Sequence, residues 1–144
     1  MANLNEFQTD IRAISDGAWI RVSEAYGDLE IQTRGFTDEF TDARTARLIA
    51  AAEAYNGERE RIPNAEGRRI NAGLMAEFIV IGVRNLYDKD GEPVTLEQFH
   101  QLLHRQEYSR LLRACWEAAG RVNARSLAQV EAAAKNSERG FDSN

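Results

Sequence analysis

His100 and His104 stand four residues apart, the spacing that lets two imidazoles on one helix face a single metal ion. A zinc protease would place a glutamate directly after the first histidine as general base, but Gln101 occupies that position. Cys115 or a distant acid would have to complete the ligand set, so surface or partly packed histidines are expected and no metal. Asp88, Asp90 and Glu97 suggest a calcium loop, yet neither register works. With Gly91 at the glycine position Leu86 replaces the first ligand, and counting from Asp88 puts Pro93 at the glycine position. A plain turn is the expectation.

Cys115 falls on an apolar stripe with no basic neighbour to lower its pKa, which suits a small hydrophobe better than a nucleophile. Gly67 and Gly73 lack phosphate-loop spacing, and Ser15 and Ser23 sit in no nucleophile elbow. No catalytic, cofactor-binding or metal-binding residue is expected, and the chain should act by binding other proteins, not as an enzyme. Trp19, Tyr26 and Trp116 are the interaction candidates, because large amphipathic rings are enriched at interfaces. Each could equally be half-buried core with its polar atom satisfied.

The elements that would carry these residues follow from bulk properties and pattern. A chain of 144 residues with 43% hydrophobic content suits a single domain, expected over residues 1–136, with 137–144 a disordered tail. The 18 Lys and Arg are interleaved with 23 Asp and Glu for a net charge of −5, so no nucleic-acid partner is expected. Phe78 to Val83, the longest strongly apolar run, falls far short of the roughly 20 residues a membrane span needs. A lone cysteine, and polar Asn3, Asn5 and Glu6 where a signal peptide would be basic and then apolar, point to a cytoplasm.

An α+β fold is expected, mostly α-helical, with a short N-terminal β-hairpin followed by about four helices. Phe7, Ile11 and Ile14 suggest a weak helix or docking arm. Trp19 to Ser23 and Leu29 to Thr33 are two short β-favouring runs around the turn Tyr26-Gly27-Asp28, giving a hairpin over about residues 18–34. Its apolar face should be Ile20, Val22, Leu29 and Ile31, with its outer edges free to pair.

A helical part is expected over about residues 37–135. Thr37 can cap a helix ending before Asn56 and Gly57. Asn64 can cap a core helix running through Ile70, Leu74, Phe78 and Ile81. The β-branched stretch Phe78 to Val83 also fits a buried strand, but length favours helix. After the turn Asp88-Lys89-Asp90-Gly91, Thr95 and Gln98 form a capping box for a short helix. Tyr108 to Val130 then read as one long helix with Gly120 as a weak point.

The order of these features resembles tail assembly chaperones of long-tailed, siphovirus-type bacteriophages. It rests on Asp16-Gly17-Ala18-Trp19-Ile20-Arg21-Val22 opening a hairpin, then Arg34-Gly35 and helices. It continues with Ile70 to Tyr87 leading into Asp90-Gly91-Glu92-Pro93-Val94-Thr95 and a Leu-rich helix, covering about residues 15 to 122. The resemblance implies a protein of the host bacterial cytoplasm that coats the tape measure protein, recruits tail tube subunits and leaves before the virion is complete. Self-association is a further implied possibility. It also implies a frameshifted longer form, for which Ala134-Lys135-Asn136 could encode an A-rich slippery tract. The competing expectation is a permanent virion component such as a head-tail connector or tail completion protein.

Overall fold

The computed structural model describes residues 1–132 and Lys135, and its fold is mixed α+β, mostly helical, around a three-stranded antiparallel sheet. The frameshift tract, apart from Lys135, and the expected tail at 137–144 lie outside the described residues. Among the described residues no helix is long and apolar enough to cross a membrane.

The hairpin forms where expected. Strand β1 (Ala18–Arg21) pairs with β2 (Glu30–Thr33), Trp19 opposite Gln32 and Ile20 opposite Ile31. Ile20, Val22, Leu29 and Ile31 are all buried, because the period-two alternation puts them on one side of the sheet. Helix α1 (Ile11–Asp16) leads into β1 through Gly17, whose φ of 89° lies in the region that favours glycine. A Cβ there would also come within 2.6 Å of Ile81 Cδ1.

The outer side of β2 is not free. Strand β3 (Val80–Arg84) occupies it, with Ile31 opposite Val83, Gln32 opposite Gly82 and Thr33 opposite Val80. Ile81 is the extra residue of a bulge at that point. The core helix expected to run through Phe78 and Ile81 therefore stops early: α3 (Asn64–Leu74) passes into a π turn, Met75–Ile79, and then into the strand. Val80, Ile81 and Val83 favour a pleated surface, Gly82 weakens a helix, and the vacant edge of β2 supplies hydrogen-bond partners. Nor does Asn64 cap α3; Pro63 holds the cap position and Asn64 is already helical.

Other boundaries follow local chemistry. Thr37 Oγ1 accepts from Phe40 N–H to open α2 (Asp38–Ala52), which ends past a 3₁₀ turn at left-handed Asn56. Asp88 Oδ1 accepts from the N–H groups of Asp90 and Glu92, closing the expected turn. Thr95 and Gln98 form the reciprocal capping box of α4 (Leu96–Leu102).

Helix α5 (Ser109–Ala124) lies over the inner face of the sheet. Leu112, Cys115, Ala119 and Val122 recur at helical spacing with Ala114 and Ala118 beside them, and all are buried. Their mostly small side chains let the helix approach Ile20 of β1 and Ile31 of β2 closely. The long final helix is interrupted, but not at Gly120, which is inside α5. The break comes at Arg125, where Ser126 Oγ accepts from Gln129 N–H and Gln129 Oε1 accepts from Ser126 N–H to start a further helix over residues 127–132.

The N-terminal lead docks into that break. Asp10 N–H donates to Arg125 O, and Leu127 N–H donates to Gln8 O. Phe7 and Ile11, read with Ile14 as one side of a weak helix or docking arm, are 70% and 75% exposed. Ala13 takes the buried position, because the backbone bonds to residues 125–127 fix which side of α1 meets α5.

Candidate interaction surface

The two histidines considered for metal binding are not brought together on one site. His100 Nε2 donates to the Val80 carbonyl at 2.8 Å, tying α4 to β3 and committing that nitrogen as a protonated donor. His104 lies past the end of α4 and is exposed. Among the described residues no group of three or more His, Cys, Asp or Glu side chains could hold a metal ion. Cys115 is fully buried, and burial pushes its thiol up to about 12, so it is neutral and packs as a hydrophobe.

Trp19, Tyr26 and Trp116 do not converge. Trp116 packs with Phe36 and Phe40, ring centroids 5.7 Å from each, on the inner side of the sheet where α2 and α5 meet. Tyr26 sits in the hairpin connection, partly buried against the core. Trp19 alone is on the outer face. The pleat that buries Ile20 and Ile31 turns Trp19, Arg21, Glu30, Gln32, Gly82 and Arg84 to the opposite side.

These outer residues form a built surface. The Arg84 guanidinium lies 4.1 Å from the Trp19 ring centroid, and its Nη2 is 2.7 Å from Glu30 Oε2. Gly82 makes room for the ring: a Cβ there would be 2.9 Å from Trp19 Cη2 and 2.8 Å from Gln32 Oε1. Arg21 Nε donates to Gly27 O, which holds a second cation beside the platform. Across the edge of β1, Arg121 donates to the Arg21 carbonyl at 3.0 Å and, with Arg125, walls a groove beside Trp19.

No protein family, curated protein or solved structure matches this chain. The functional reading therefore rests on the chain's own residues. The platform offers one half-buried aromatic plane, paired charges with fixed geometry, and an adjoining strand edge. Such a surface suits recognition of another polypeptide. Of its members Trp19 was recognisable from residue type; Gly82, Arg84 and Glu30 join it only through the pairing of β3 with β2. The alternation of Gly82 and Arg84 with Val83 was the available signal, hidden by reading the segment as helix.

Proposed function

We propose that this chain is a non-catalytic binding protein of bacteriophage tail morphogenesis, a tail assembly chaperone that acts in the host bacterial cytoplasm. It holds the tape measure protein and recruits tail tube subunits. The observation that carries this reading is the outer sheet face, where Trp19 and Arg84 form a rigid platform on a mostly helical body. A tape measure protein is a long helical chain whose apolar faces need shielding before assembly, and a half-buried aromatic plane with flanking charges can contribute to it. The order of hairpin, helices and the Asp90 to Thr95 loop adds support through the resemblance to siphophage chaperones.

A second reading, a permanent virion component such as a head-tail connector or tail completion protein, draws on the edge strand β1, which can pair with a neighbour in a ring. One experiment separates the two. The tagged chain is pulled down from phage-producing cells while purified virions are analysed by mass spectrometry. Copurified tape measure and tube proteins with virions that lack the chain are the expected result. A fixed copy number in virions would make it a structural component, and recovery without any tail protein would defeat both readings.

A further inference from the structure

The sheet has an open edge, and that edge is basic. Strand β1 lies outermost and pairs with β2 alone. At the opposite edge α4 packs on β3, where His100 Nε2 holds the Val80 carbonyl. On β1 the Arg21 carbonyl is turned away from β2, since Arg121 Nη1 donates to it at 3.0 Å. In an antiparallel pair the N–H and C=O of one residue point the same way and the direction alternates along the strand. Arg21 N–H and both backbone groups of Trp19 therefore face outward too, and they have no hydrogen-bond partner among the described residues.

This edge opens on a groove of about 640 Å³. Trp19 and Arg21 stand on its β1 side, and Arg121, Ala124, Arg125 and Val130 form the facing wall, where α5 gives way to the helix that follows it. No Asp or Glu lines the groove, and Arg21, Arg121 and Arg125 make no ion pair among the described residues. Hydrogen bonds to the carbonyls of Gly27 and Arg21 hold Arg21 and Arg121 in place instead. Each guanidinium keeps further N–H donors that suit a carboxylate.

Unpaired strand groups call for an extended backbone, and arginines without a counter-ion call for acids. We infer that the groove binds an extended, acidic segment of a partner protein, which pairs with β1 as a fourth strand and sets Asp or Glu side chains against Arg21, Arg121 and Arg125. A second copy of β1 does not fit this description, because Ala18–Arg21 contains no acid and would bring another Arg21 into the groove. A nucleic acid would meet the charge and leave the strand edge unpaired. The site goes beyond the outer-face reading, which takes a helical chain on Trp19 and Arg84. Arg121 and Arg125 are no part of that platform, so either reading can fail alone.

Fluorescence anisotropy of the full chain with a short labelled peptide of alternating Glu and Thr tests the site. The peptide should bind wild type. Methylating its backbone nitrogens, which keeps the charge and removes the strand donors, should weaken binding by about tenfold or more, and so should replacing its Glu with Lys. Arg121→Glu with Arg125→Glu should reject the Glu peptide and accept the Lys peptide, and that acceptance also shows the variant to be folded. A wild-type chain that ignores the Glu peptide, equal binding of the methylated peptide, or equal binding of a single-stranded oligonucleotide would each overturn the inference. A chain that sediments as a dimer and excludes the peptide would place a second copy in the groove, with the same consequence.

Discussion

The two faces of the three-stranded sheet share one backbone and differ in almost every other respect. The inner face, with Ile20 and Ile31 under α5 and Val80 beside them, is closed and apolar, and Ile31 is 0% exposed. The outer face bears Trp19, Glu30, Gln32, Gly82 and Arg84, with its charges paired and its aromatic ring half-buried. Period-two alternation therefore divides labour: one side of each strand holds the fold and the other is turned away from the core. Substitutions on the inner face should change stability, and substitutions on the outer face should change binding.

The largest stability loss is expected from Ile31→Ala, which empties the centre of the inner face and should cost about 2–5 kcal/mol in a denaturant titration. A loss below about 1 kcal/mol would show that the two faces are less different than drawn. Gly82→Ala acts from the other side. Its methyl group must displace Trp19 or Gln32, costing about 1–3 kcal/mol, and combining it with Trp19→Ala should recover part of that cost. Additive effects in the double variant would mean that the ring does not lie across Gly82.

Thr33 is an anomaly on the inner face, fully buried with Oγ1 lacking a hydrogen-bond partner among the described residues. Thr33→Val keeps the shape, removes the stranded hydroxyl, and should raise stability by about 1 kcal/mol. Cys115 sharpens the comparison through pH. Its folded pKa of about 12 exceeds the ordinary thiol value of 9.0, so only the unfolded chain ionises between them. Its contribution is complete below pH 9.0 and is lost progressively as pH rises towards 12. The pH slope of wild type minus that of Cys115→Ala isolates this contribution from other groups that titrate there. Trp19→Ala removes the ring that lies across Gly82, and the lost contact with Arg84 alone should account for about 0.5–1 kcal/mol of its cost.

What could be read from the sequence was what is decided locally. Thr37, the Thr95 and Gln98 box and the Asp88 turn each satisfy backbone groups within four residues, so residue type and spacing sufficed. The hairpin's buried face was legible because its alternation is short and uninterrupted. Strand β3 was not, because its conformation depends on β2, to which Arg84 is joined through Glu30 at a separation of 54 residues. The break at Arg125 had a local signal in Ser126 and Gln129, overridden by apolar spacing that continues through Val122, Leu127 and Val130. The candidate surface shared this limit: Trp19 stood out by type, while its setting required the third strand.

Comparing recovery of tape measure protein by tagged wild type and by Trp19→Ala, pulled down from phage-producing cells, tests the proposed role of the outer face most directly. Wild type should retain tape measure and tube proteins, and Trp19→Ala should lose them while still folding to a chain that melts cooperatively. Equal recovery by the two chains, or no tape measure protein with either, would contradict the assignment of the outer sheet face to that partner.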